Sequence, residues 1–222
     1  MLPRAIIFDL DGTLIDSAPD LADALNSVLR SEGLREQALA DVKGMVGAGA
    51  KVLIQRGFAA NGKALSEPEA ERLLPAFIAD YRARATDKTR LMPGAQRLLT
   101  ELAAAGIGLG LCTNKPEDIS RQILEDFAIA SLFGSIVGGD TTPAKKPDPR
   151  PLLHSLAELR CAADEALMVG DSAADAGVAR AAGTRLALVT FGYSQVPVRD
   201  MGADVLVEEF DAFLPALRGS VA

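Results

Sequence analysis

The segment FDLDGTLIDS, Phe8 to Ser17, places Asp9, Asp11 and Asp16 within eight positions, directly after an apolar run. Paired carboxylates at the end of a buried strand cost desolvation and raise each other's pKa, so stability does not explain them. Three other segments bring complementary groups. Thr113, Asn114 and Lys115 follow IGLGLC, and Asp140, Thr141, Lys145, Lys146, Pro147 and Asp148 follow SIVGG. Asp171, Ser172 and, one helical turn on, Asp175 follow ALMVG. Each piece alone is weak. Thr113-Asn114 reads equally as a turn before a helix, Lys146-Pro147-Asp148-Pro149 as a stiff loop, and Asp175 as an acid stabilising a helix start.

Together they specify a chemistry. Three carboxylates share a crevice only if a cation compensates them, and oxygen ligands without His or Cys favour Mg²⁺. A threonine hydroxyl, neighbouring backbone N–H groups and a lysine grip phosphate oxygens. One carboxylate held in line with phosphorus attacks it to form an aspartyl-phosphate. A second, two residues on and pointing the same way along an extended strand, gives a proton to the leaving alkoxide and later takes one from water. Gly12 relaxes the backbone where the chain leaves the sheet.

The elements that must position these groups are legible as short apolar runs alternating with amphipathic stretches. AIIFDL (5–10), IGLGLC (107–112), SIVGG (135–139), ALMVG (166–170), RLALVT (185–190) and DVLVEE (204–209) read as strands, several continuously apolar as in a doubly covered parallel sheet. Helical patterns over 93–106, 115–127 and 171–183 separate them. The expected fold is an α/β, Rossmann-like parallel sheet, with ligands bound at the carboxyl ends of its strands. From about Ser17 to Thr89 the rhythm stops: helix follows helix, opening at Ser17 as a candidate N-cap, without a convincing strand. The chain therefore divides into a core, 1–16 with 90–222, and an inserted helical unit, 17–89.

Composition bounds the function. The 222 residues are 49% apolar with a formal net charge of −7 and no basic run, which argues against nucleic-acid and membrane partners. One histidine, His154, leaves a Ser-His-Asp triad hard to build, and it reads as a surface residue. Cys112 and Cys161 are too few for a zinc cluster or a disulfide framework and read as reduced thiols. No stretch approaches a membrane span or a signal peptide, so the expected location is cytoplasmic.

FDLDGTLIDS, LCTNK, KKPDP and VGDSAAD resemble, in order, the four motifs of the haloacid dehalogenase-like superfamily, with a match running from Ile6 to about Gly192. The resemblance implies roles by position. Asp9 is the nucleophile and a Mg²⁺ ligand; Asp11 is the general acid/base and binds the metal through its carbonyl. Thr113 and Asn114 bind the transferring phosphoryl group, and Lys146 neutralises it. Asp171 is a metal ligand, Asp175 supports the metal from nearby or through water, and Lys145 is solvated. Asp11 separates the chain from true haloalkanoate dehalogenases, which lack that acid. The helical insert resembles the family's small cap, which closes over the crevice and reads the leaving group.

Within it, VGAGAKVLIQRG resembles the cap motif of bacterial phosphoglycolate phosphatases, with Gly47, Gly49, Leu53 and Arg56 at its positions. VTFGYS, Val189 to Ser194, matches that subgroup as well. A helix–helix turn before an amphipathic helix accounts equally for the cap segment. The implied activity is hydrolysis of 2-phosphoglycolate, its carboxylate meeting the N–H groups near Gly47–Gly49 or the guanidinium of Arg56. The alternatives are hydrolysis of N-acetylmuramate 6-phosphate or a sugar phosphate, a β-phosphoglucomutase-like phosphotransfer, and non-catalytic phosphate binding. The expected partner is a small phosphorylated metabolite, and the expected assembly a monomer or homodimer.

Overall fold

Six strands hydrogen-bond side by side, every neighbouring pair parallel, in a computed structural model that describes residues 2–219. In chain order the elements are β1 (Ala5–Phe8), β2 (Ile15–Asp16), α1 (Ala18–Ser31), α2 (Leu39–Lys43), α3 (Ala50–Ala59) and α4 (Glu67–Arg84). Next come β3 (Arg90–Leu91), α5 (Ala95–Ala104), β4 (Gly108–Cys112), α6 (Glu117–Asp126), β5 (Ser135–Val137) and α7 (Arg150–Glu158). The chain ends with β6 (Ala166–Gly170), α8 (Ala173–Ala182), β7 (Arg185–Val189), β8 (Val205–Val207) and α9 (Phe213–Gly219).

The large sheet runs β5-β4-β1-β6-β7-β8, so β1 is central and the chain builds outward from it first one way and then the other. That reversal opens a crevice at the carboxyl ends of β1, β4 and β6. Strand alternation sorts the core onto two faces. Ile6, Phe8, Leu109, Leu111, Leu167 and Val169 bury into one cluster; Ala5, Ile7, Ala166, Met168, Leu186 and Leu188 bury into the other. The first cluster continues without a break into the helices of the insert, through Leu25, Leu53, Phe58, Phe77 and Tyr81.

The insert holds α1 to α4 and no strand among its described residues. A two-stranded antiparallel ladder, Ile15 with Leu91 and Asp16 with Arg90, stands at its neck. Two residues a side are too short to leave a periodic signature in the sequence. Asp20 fastens the same neck: fully buried, it accepts from the N–H groups of Lys88 and Thr89 and from the Thr89 hydroxyl.

The expectation of an extended chain from Asp9 to Asp11 is corrected by the structure. β1 ends at Phe8, and the Leu10 carbonyl accepts from the N–H groups of Thr13, Leu14 and Ile15, folding 10–15 into a turn. Gly12 takes φ +80° in it, and a Cβ there would lie 2.5 Å from Asp171 Oδ2. The glycine therefore serves both the turn and the close approach of β1 and β6 loops. At the next corner Ser17 does stand at the N-cap of α1, but it makes no capping bond; its hydroxyl donates instead to Asp11 Oδ1 at 2.5 Å.

Candidate active site

Asp9 follows β1, Asp171 follows β6, and Asp175 lies in the first turn of α8; each offers a carboxylate oxygen within 4.8 Å of the others, all buried. Lys146, on the loop before α7, reaches into this group with a side chain only 1% exposed. Its Nζ stands 2.8 Å from Asp9 Oδ1 and 2.6 Å from Asp175 Oδ1. The contact to Asp9 is an ion pair outside hydrogen-bond alignment, so that buried oxygen accepts no hydrogen bond from the described residues.

Charge repulsion is written into the site. Burial, only partly offset by Lys146, and the neighbouring acids push the Asp9 carboxyl up to about 6. Burial, then Asp175 and Asp9, hold Asp171 well above the ordinary carboxylate range. The Lys146 ammonium loses hydration on burial, but Asp175 and Asp9 outweigh that and raise its pKa. Counting Asp11, four carboxylates face two ammonium groups, Lys146 and Lys115, an excess of two negative charges. An all-oxygen donor set, one donorless buried oxygen and that surplus fit a hard divalent cation held by Asp9 and Asp171.

Asp175 has both oxygens engaged. Oδ2 accepts from the N–H groups of Asp171 and Ser172 and from the Ser172 hydroxyl at 2.6 Å, closing a capping box on α8. Oδ1 holds Lys146. Its arrangement positions the lysine and the Asp171 turn.

Asp11 sits on the other wall. Its Oδ1 accepts from Ser17 Oγ and lies 2.9 Å from Lys115 Nζ. Asp9, Asp11, Thr113, Asn114 and Lys115 line one crevice, which Gly47, Gly49, Ala50, Leu53, Phe77 and Tyr81 of the insert roof over. Its water-accessible volume is about 30 Å³, room for a water or two and too little for a phosphomonoester.

Thr113 lies at the foot of this crevice, buried, its Oγ1 accepting from the Lys115 N–H. Asn114 is engaged as a bracket. Its amide donates to the carbonyls of Gly47 and Lys146, and its carbonyl oxygen accepts from the Lys146 N–H. The insert's glycine loop and the lysine loop of the core are thus joined through one side chain. Gly47 and Gly49 adopt φ +107° and +90°, which explains the residue type at both. Arg56 is not brought to the crevice: it is exposed, and its Nη1 donates to the Met45 carbonyl at 2.7 Å. Lys145 is exposed as expected.

Three residues went unassigned in the sequence. Lys115 was visible as the third polar residue after β4, but spacing could not show that it turns inward. Tyr81 ends the buried face Ala70, Leu73, Phe77, Tyr81 of α4, and only its hydroxyl, 2.6 Å from Lys115 Nζ, departs from an ordinary apolar stripe. Tyr193, within the noted VTFGYS segment, donates its backbone N–H to Asp171 Oδ2 at 2.6 Å.

Residues 6–189 match the haloacid dehalogenase-like hydrolase family. The chain is 44% identical to a phosphoglycolate phosphatase of Rhodospirillum rubrum over 94% of its length and 88% of that protein's. It is 43% identical to one of Cereibacter sphaeroides, over 98% and 99%. The crystal structure of a predicted phosphoglycolate phosphatase from Haemophilus somnus superposes with a TM-score of 0.89 at 33% identity, covering 96% of each chain. That of CbbY from Rhodobacter sphaeroides in complex with phosphate superposes with a TM-score of 0.81 at 26% identity, covering both chains fully.

Proposed function

The chain belongs to the haloacid dehalogenase-like hydrolases, and from that premise we propose that it is a Mg²⁺-dependent phosphatase of 2-phosphoglycolate, with residues 17–89 as its cap. The observation that carries the catalytic reading is the placement of Asp9 and Asp11 on one crevice, with buried Lys146 at 2.8 Å from Asp9. Identity of 43–44% to phosphoglycolate phosphatases along nearly the whole chain supports the substrate.

In this reading an Asp9 oxygen attacks phosphorus while the bond to the ester oxygen breaks. Asp11 gives its proton to the departing alkoxide, which leaves as glycolate. Water then attacks the aspartyl-phosphate, Asp11 recovers a proton from it, and free Asp9 and inorganic phosphate result. Thr113 and Lys146 hold the phosphoryl oxygens. Asp9, Asp171 and the Asp11 carbonyl would hold Mg²⁺, which when bound neutralises charge on the phosphate and on the acids around it.

The insert roofs the crevice of about 30 Å³ beside Asp9 and Thr113, and in this reading it swings away to admit substrate and returns to exclude water. Asn114 to Gly47, Lys115 to Tyr81, Arg82 to Asp118 and Thr86 to Asp126 are among the contacts that would break.

The test is release of inorganic phosphate, with Mg²⁺, from 2-phosphoglycolate, N-acetylmuramate 6-phosphate, a hexose 6-phosphate and β-glucose 1-phosphate. The highest kcat/KM is expected on 2-phosphoglycolate. A preference for any of the sugar esters overturns the substrate, and no turnover of any overturns the enzyme.

A further inference from the structure

We propose that Lys115, with the Tyr81 hydroxyl beside it, is the carboxylate-reading site of this enzyme, so that substrate selection resides in the loop after β4 and on α4. The inference rests on the reading of 2-phosphoglycolate as substrate and assigns the residues that choose it.

The substrate's own covalent structure fixes where to look. In 2-phosphoglycolate a single methylene separates the ester oxygen from the carboxylate. With phosphorus at Asp9 and the ester oxygen at Asp11, the carboxylate must lie just beyond Asp11, on the side away from Asp9. Lys115 Nζ lies 2.9 Å from Asp11 Oδ1 on the same crevice, its side chain only 3% exposed, within reach of a carboxylate so placed. It is the one Lys or Arg on the crevice wall among the described residues. Lys146 is held by Asp9 and Asp175, and Arg56 lies outside on the Met45 carbonyl.

Tyr81 completes the site. Its hydroxyl accepts from Lys115 at 2.6 Å, and its own proton has no acceptor among the described residues. The lysine also lies over the Tyr81 ring, 4.3 Å from its centre. A carboxylate arriving here would take one oxygen to the ammonium and the other to the phenol proton. The cation comes from the core and the phenol from the insert, so an acid-bearing substrate bridges the two. An uncharged leaving group offers nothing to either. Without substrate, Asp11 fills the ammonium's need for an anion, which keeps a fully buried cation paired.

The experiment compares 2-phosphoglycolate with ethyl phosphate, which has the same carbon skeleton without the carboxylate charge. Wild-type enzyme, Lys115→Met, Lys115→Arg and Tyr81→Phe are assayed on both. For Lys115→Met, the loss in kcat/KM on 2-phosphoglycolate should exceed that on ethyl phosphate by about tenfold or more, chiefly through KM. Lys115→Arg should recover part of this selective loss. Tyr81→Phe, which removes one oxygen from a buried ring, should show a smaller loss of the same sign.

Each variant is its own reference, so a general loss through Asp11 or through folding cancels in the ratio. Equal losses on the two substrates in both Lys115→Met and Tyr81→Phe overturn the assignment and leave the substrate reading intact. Wild-type enzyme that turns over ethyl phosphate as well as 2-phosphoglycolate overturns the substrate reading itself.

Discussion

The Tyr193 hydroxyl donates a 2.6 Å hydrogen bond to Asp16 Oδ1, at the neck of the insert. The Tyr193 hydroxyl oxygen also accepts from the Ala18 N–H at 3.0 Å, while the Tyr193 backbone N–H holds Asp171. One residue thus touches the first turn of α1 and a proposed metal ligand by separate atoms. Tyr193→Phe should lower stability by about 1–3 kcal/mol, since the buried Ala18 N–H loses its acceptor and the half-buried Asp16 loses a donor. Mg²⁺ affinity should survive, because the bond to Asp171 is main chain. Urea denaturation and a Mg²⁺ titration check the two halves; a tenfold or greater weakening of Mg²⁺ would show that the phenol orients Asp171.

Asp16 also gives a pH signature. Burial acts to raise its pKa, but the bonds from Tyr193 and Lys43 outweigh this and lower it. A carboxyl lowered on folding adds stability above its unfolded pKa, near 3.9, and loses it as pH falls through the folded value. The stability gap between wild type and Asp16→Asn should therefore be widest near neutral pH and close below about pH 4. Denaturation curves at pH 7 and pH 3.5 measure it, and an unchanged gap would contradict the assignment.

What was legible in the sequence follows from range. Every strand of the large sheet was visible, because each is a short apolar run whose partners need not be known. Asp9, Asp171, Asp175 and the pair Lys145–Lys146 were visible because strand ends in a parallel sheet converge; the family resemblance, not the spacing, singled out Lys146. Pairings that depend on the insert's seating were not: Lys115 with Tyr81, Asn114 with Gly47, and Tyr193 with Asp16 join residues 34, 67 and 177 positions apart. Arg56, offered in the sequence as one of two partners for the carboxylate, lies exposed on the Met45 carbonyl for the same reason. A helix period tells which residues share a face, but not which way an exposed one turns.

The excess negative charge predicts how metal acts on stability. Asp9 and Asp171 have pKa values raised on folding, so in metal-free protein the ionisation of Asp9 weakens the fold as pH rises from about 4 through about 6, and that of Asp171 acts in the same direction. Mg²⁺ at 100 times its Kd should restore about 2.7 kcal/mol, a rise in Tm of roughly 5–10 °C for a chain of this size. The gain should shrink at pH 5, where protons compete. Asp171→Asn in chelator should be at least as stable as wild type and yet show no Mg²⁺-dependent rise. Scanning calorimetry decides; a variant that still responds to Mg²⁺ would remove Asp171 from the ligand set.

Arg56 and Lys115 predict opposite outcomes. Arg56 is exposed and holds the Met45 carbonyl, at the loop leading to Gly47. Arg56→Ala should cost about 1 kcal/mol of stability or less, and its kcat/KM losses on 2-phosphoglycolate and ethyl phosphate should be equal. A loss confined to 2-phosphoglycolate would mean that Arg56 reaches the substrate in a conformation other than this one.

Asp9 and Asp11 should fail in different ways, because they serve different halves of the reaction. In Asp9→Asn the fold should persist: Lys146 keeps Asp175 at 2.6 Å, so no buried cation is left without an anion. Turnover should fall by several orders of magnitude, as the nucleophile and a metal ligand vanish together. A variant retaining a tenth of wild-type kcat, a loss of only about 1.4 kcal/mol, would remove Asp9 from the nucleophile's role. In Asp11→Asn the amide oxygen can still accept from Ser17 and Lys115, but the buried ammonium loses its anion, so this variant should be less stable than wild type as well as lacking the proton carrier. Attack by Asp9 remains possible wherever the leaving group departs without a proton, as p-nitrophenolate does. The water that must cleave the aspartyl-phosphate, however, has lost its base. Rapid-quench assays with p-nitrophenyl phosphate should therefore show a burst of nitrophenol close to one per enzyme, followed by slow release of phosphate, with the phosphoryl group bound to protein. Equal slowing of both products, without a burst, would mean that Asp11 acts only on the first step or not as a base at all.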